Sequence, residues 1–80
     1  MERISTAKAR RALRAILVDA RRKAGLSQRE VARRLGRHQS YVARYESKRR
    51  RIPVTEFMEI AEALGNDPAR LLGALIRKMR

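Results

Sequence analysis

"LGRHQSYVARYESKRRR", residues 35–51, decides how this chain folds. Gly36 can take a left-handed turn without Cβ strain, so the helical run that ends at Leu35 stops there. A second helical run then extends from about Gln39 to Ser47, with Val42 and Tyr45 inward and Gln39, Ser40 and Arg44 on one outer face. Four consecutive cations, Lys48 to Arg51, follow before Pro53. A helix that opens polar and closes in arginine suits an anionic partner.

The flanking sequence supplies the rest of the domain. Upstream, Ser27-Gln28-Arg29-Glu30 is a capping box: the Ser27 hydroxyl accepts a first-turn N–H, and the Glu30 carboxylate accepts from the N–H of Ser27. It opens a helix with Val31, Ala32 and Leu35 on its buried face. Further upstream, residues 6–24 carry Leu13, Ile16, Leu17, Ala20 and Ala24 as one apolar stripe on an otherwise cationic helix that ends near Gly25. Downstream, a helix over roughly 55–64 presents Phe57, Ile60, Ala61 and Leu64, and Gly65 ends it. Asp67-Pro68 is an N-cap followed by the proline favoured at the first helical position. The last helix lines up Leu71, Leu72, Leu75, Ile76 and Met79 on one side. Five helical segments without a strand, a repeat or a low-complexity linker predict a single all-α domain over residues 1–80.

Composition narrows the function. The 21 Lys and Arg against eight Asp and Glu leave a formal charge of +13. That charge is segregated: residues 1–51 hold 17 basic and four acidic side chains, whereas residues 52–80 hold four of each. A merely solubilising surface mixes both signs, so the segregation points to a polyanion on the N-terminal side. Seventeen of the cations are Arg, whose planar fork matches phosphates and guanine edges. With no Cys, thiolate metal sites and disulfides are excluded, which fits a reducing compartment such as the cytoplasm. One His and no glycine-rich phosphate loop leave no constellation for catalysis, and neither a metal nor a cofactor is implied. The longest apolar run, Ala15 to Val18, is too short for a membrane span or a signal-peptide core. The basic, acid-poor first 24 residues also fit a transit peptide or a membrane-surface helix, but neither accounts for the capped helices that follow.

Two short helices joined through a glycine turn, the second polar outside, form a helix-turn-helix pattern. The stretches "GLSQREVARRLGRHQSYVARYE" and "RRIPVTEFMEIAEALGNDPARLL" resemble the lambda-repressor and Cro-like family, also called Xre-like, over about residues 13–72. Residues 73–80 extend the last helix beyond that match. The resemblance implies a five-helix DNA-binding domain and a transcriptional regulator of double-stranded DNA, expected to be a repressor. It implies base-reading roles for Gln39, Ser40 and Arg44, the last of which also suits a phosphate. Gln28 would touch a phosphate and brace the start of the recognition helix, and Tyr41, Lys48, Arg49 and Arg50 would contact phosphates. Arg21 and Glu46 match a salt-bridge pair, and Leu71 and Leu72 match positions that close the core.

The chain departs from the family pattern at two caps. His38 stands where Ser or Thr usually caps the recognition helix; it can cap weakly, contact a phosphate or lie passively at the surface, and the last is the expectation, while Val54 stands where a capping Ser is common, which leaves Thr55 as the expected cap. Leu75, Ile76 and Met79 continue the apolar stripe past what a small core covers, so they are the expected homodimer interface. The competing reading is an antitoxin or other protein-interaction module of the same fold, with a toxin or other protein as partner.

Overall fold

The computed structural model describes residues 5–80. In chain order it contains α1 (Thr6–Lys23), α2 (Gln28–Leu35), α3 (Gln39–Glu46), α4 (Val54–Ala63) and α5 (Pro68–Met79), with no strand among the described residues. Each of the five spans falls within a residue or two of its expectation.

The caps explain the boundaries. At α2, Ser27 Oγ accepts from the Glu30 N–H at 3.1 Å, and the Ser27 N–H donates to Glu30 Oε1 at 3.0 Å. The latter bond holds the Glu30 carboxyl below its usual pKa, because a carboxylate accepts from a backbone N–H better than its protonated form does. At α5, Asp67 accepts from the Ala69 N–H at 2.9 Å, and Pro68 follows at the first helical position. The α4 start corrects the expectation for Thr55: the N-cap is Pro53, which has no side-chain acceptor, and Thr55 already lies inside the helix. Pro53 holds the extended conformation that an N-cap needs, so the helix begins one residue early without a capping hydroxyl.

The helices close on one core. Leu17 of α1, Val31 of α2, Val42 and Tyr45 of α3 and Ile60 of α4 are its most deeply buried side chains, joined by Leu64 and, from α5, Leu71. Full burial of a Leu or Ile contributes about 1.5–3 kcal/mol, so these few residues carry much of a small domain's stability. Tyr41 and Tyr45 pack edge to face, with centroids 5.5 Å apart and planes at 75°. α2 packs on α3 and α4, while α5 lies against α1 and α4. Two stripe residues expected in the core fall outside it. Ala24 is exposed because α1 ends before it, and Leu72 is 48% exposed, which corrects its expected core role. Leu71 is the one buried residue of α5, and its neighbour points about 100° away.

Candidate nucleic-acid interface

Local geometry frames α3. The turn before it bends at Gly36, φ 66°, where the Arg37 N–H donates to Ala32 O at 2.9 Å and closes α2 in a left-handed cap. His38 then caps α3: its Nδ1 accepts from the Ser40 N–H at 3.2 Å and lies 3.0 Å from Ser40 Oγ. An accepting Nδ1 places the ring proton on Nε2. The expectation of a passive His38 is corrected, since the imidazole nitrogen does what a Ser oxygen would do.

The far end of α3 uses the same left-handed cap without glycine. The Arg49 N–H donates to Arg44 O at 3.1 Å, and Lys48 occupies the left-handed position at φ 79°. A side chain there is strained by roughly 1–2 kcal/mol because Cβ approaches the following carbonyl.

A partly buried polar cluster locks the orientation of α3. Arg21 of α1 meets Glu46 through two bonds, Nε to Oε2 at 2.8 Å and Nη2 to Oε1 at 3.1 Å. The Arg21 Nη1 also donates to Leu26 O at 2.9 Å, and Gln28 Nε2 donates to Glu46 Oε1 at 2.9 Å. The side chains of Arg21 and Glu46 are only 13% and 7% exposed. The Glu46 hydrogen bond raises the Arg21 pKa further, so this cation stays charged throughout the working range. Gln28 therefore braces the end of α3 rather than its start: its side-chain amide donates to Glu46, although Gln39 lines the same open hollow.

Gln39, Ser40 and Arg44 are exposed on the outer side of α3, opposite Tyr41, Val42 and Tyr45 in the core. Arg44 Nε donates to Ser40 O at 3.2 Å, which sets the guanidinium along the helix, and neither terminal nitrogen has a partner among the described residues. Lys48, Arg49 and Arg51 are exposed as well.

Tyr41 and Arg50 lie in a different setting from the one expected. Tyr41 is 6% exposed, and its hydroxyl donates to Glu56 Oε1 instead of facing outward. Burial first, then the Glu56 carboxylate, raises its pKa to about 12. Arg50 Nη2 donates to both Glu56 oxygens, at 2.8 and 3.1 Å. The guanidinium carbons of Arg37 and Arg50 lie 4.4 and 5.1 Å from the Tyr41 ring centroid, within cation–π range. The Tyr41 hydroxyl, and after it Arg50, holds the Glu56 carboxyl below its usual pKa. Nothing in the sequence marks Glu56, which reads as an ordinary first-turn acid 15 residues from Tyr41.

On α5, Leu75 and Met79 are half-buried, whereas Ile76 is 47% exposed beside the exposed Leu72 one turn earlier. Among the described residues, no group of His, Cys, Asp and Glu is placed to hold a metal ion, and no helix is long and apolar enough to cross a membrane.

A short helix, a glycine turn and a second helix with an exposed polar face, held in a five-helix frame, define a helix-turn-helix domain. The helix-turn-helix family profile matches residues 17–71. The fold is also similar to that of an XRE-family like protein from Pseudomonas syringae, at 42% identity and TM-score 0.85, covering 90% of this chain and 88% of that one. The chain belongs to the XRE-type helix-turn-helix family. It is similar as well to two structures of the clp gene regulator ClgR from Corynebacterium glutamicum. One is 26% identical with TM-score 0.79 and covers 90% of this chain and 94% of that one. The other is 27% identical with TM-score 0.78 and covers 89% and 76%. No curated protein sequence matches the chain.

Proposed function

We propose that this chain is a DNA-binding transcriptional regulator that acts as a repressor by occupying duplex DNA as a homodimer. The observation that carries the reading is the exposed row Gln39, Ser40 and Arg44 on a helix whose inner face is core and whose end is fixed by Arg21, Glu46 and Gln28. Such a row can enter a major groove with little freedom left to lose. Gln pairs bidentately with adenine, and Arg with guanine, while Ser serves either. Lys48 and Arg49 follow where phosphates flank a recognition helix, and Gln28 lies at the N-terminus of α2, where backbone N–H groups favour an anion. Arg50 keeps Nε and Nη1 for a phosphate while Nη2 stays on Glu56. Tyr41 supports α3 from inside rather than through a phosphate contact. A repressor of this kind works on the DNA in the cytoplasm and needs no catalytic group.

One recognition helix reads only a few base pairs, whereas two related by a two-fold axis read half-sites about 34 Å apart. Leu72 and Ile76, one turn apart on α5 and about half exposed, support pairing through that helix, with Leu75 and Met79 at its margin. The balanced charge of residues 52–80 favours such contact, because it removes the repulsion that two cationic halves would exert.

Selection of bound sequences from random duplex DNA tests the reading, with a recurrent two-fold-related site as the expected result. Arg44→Ala then loses about 1–3 kcal/mol on that site and little on random duplex. Sedimentation gives a dimer for the native chain and a monomer for Leu72→Glu with Ile76→Glu. An empty selection favours a protein-interaction module, an antitoxin among them, and overturns the DNA reading.

A further inference from the structure

The cations around the helix-turn-helix are not equivalent once the fold is closed. On the edge that faces α4, they are already engaged. Arg50 is bonded to Glu56, Arg37 lies 4.0 Å from Glu59, and Arg34 Nη1 donates to Ala63 O at 2.9 Å. On the opposite edge, an open hollow runs between α1 and the end of α3, lined by Arg11, Arg14, Val18, Arg22 and Lys48. Two acids border it, and both are taken: Asp19 pairs with Lys23 at 3.1 Å, and Glu46 with Arg21. Arg11, Arg14, Arg22 and Lys48 have no acidic partner among the described residues.

The hollow continues towards the recognition helix. Arg21 and Glu46 separate it from a second open hollow, lined by Arg21, Gln28, Arg29 and Gln39, so one cationic path leads from the first residue of α3 to the N-terminal half of α1. Along α1, Arg11 and Arg22 are about 16 Å apart at 1.5 Å per residue. That length spans roughly five nucleotide steps of one strand, at 3.4 Å each. The N-terminal half of the helix gains nothing from this pattern, whereas Arg22 in the last turn complements the dipole. Its first turn has no acid to match the dipole, and cations at 8, 11 and 14 repel at three-residue spacing. A polyanion laid along the stripe relieves both penalties.

We infer that the outer face of α1, through Arg11, Arg14 and Arg22 with Lys48, is a second DNA-contact surface that tracks the phosphate backbone beyond the groove read by α3. This rests on the DNA-binding reading above and extends its footprint to the α1 side. Because phosphates carry no base identity, the surface adds affinity and salt dependence but no sequence preference.

The test uses the full chain on its selected duplex, with native protein compared with Arg11→Gln, Arg14→Gln and Arg22→Gln combined. Glutamine keeps helix propensity, and circular dichroism checks that α1 is intact. The slope of log affinity against log salt should shrink by about two to three, with binding at 0.1 M salt weakened at least about tenfold. The ratio of selected to random duplex should stay the same. A charge-matched control, Arg70→Gln with Arg77→Gln and Lys78→Gln on α5, should leave the slope near native. Hydroxyl-radical footprints should lose protection only at the flanks. A native slope in the α1 variant, or an equal change in the α5 control, overturns the inference. Failure of the native chain to bind any duplex overturns instead the reading on which it rests.

Discussion

Removing Glu46 should unfold this domain more readily than its place on a short polar helix suggests. Glu46→Ala leaves the Arg21 side chain, 13% exposed, without the carboxylate that takes two of its bonds, and leaves Gln28 Nε2 without an acceptor. Breaking a fully buried pair from one side costs about 3–5 kcal/mol, and an exposed pair about 0–1. This pair is closer to the buried limit, but Arg21 keeps Leu26 O and has a stem long enough to swing into the adjacent open hollow. A loss of about 2 kcal/mol follows, against the roughly 4–12 kcal/mol expected for a domain of this size. It should lower Tm by about 8–16 °C in thermal unfolding followed by circular dichroism at neutral pH. Arg21→Ala with Glu46→Ala should cost less than the sum of the single losses, because the second deletion removes the stranded charge. A Glu46→Ala loss below about 0.5 kcal/mol, or strict additivity, would show that the cluster behaves as surface and does not fix α3.

Three further outcomes follow from single features of the interface. Lys48→Gly should relieve the left-handed strain at φ 79° and stabilise the fold by about 0.5–1 kcal/mol in urea unfolding, after allowance for glycine's greater unfolded freedom. The same variant should lower the salt slope of DNA binding by about one, so a loss of stability would contradict the cap geometry. His38→Ala should cost about 1 kcal/mol and His38→Asn almost nothing, since only the former removes the acceptor for the Ser40 N–H; equal costs would refute the capping role. The lowered pKa of Glu56 makes its contribution complete above the ordinary carboxylate value and lost as pH falls through the lower folded value. Glu56→Gln should therefore flatten the acid limb of the stability–pH curve and leave the region above about pH 5 parallel to native; an unchanged acid limb would mean that the carboxylate is unlinked to folding.

Much of this protein was determined by local chemistry. The box Ser27–Glu30 and the pair Asp67–Pro68 fix two helix starts, and Gly25, Gly36 and Gly65 end three helices in the left-handed conformation, because each device acts within a few residues. Periodicity likewise marks Leu17, Val31, Val42, Ile60 and Leu71 as core, and the order of the motifs selects the helix-turn-helix. What the chain folds into decided the rest. Tyr41 becomes a buried support and Arg50 is drawn to Glu56 because α4 carries a carboxylate to the edge of α3, a meeting across 15 residues that no local pattern encodes. Leu72 turns outward because Leu71 takes the inward position and successive helical side chains point about 100° apart. The run of cations in the sequence is divided by packing into an edge neutralised by α4 and an edge left uncompensated along α1. Charge composition is a property of the chain, but which charges remain unpaired is set only when helices distant in sequence bring their acids alongside.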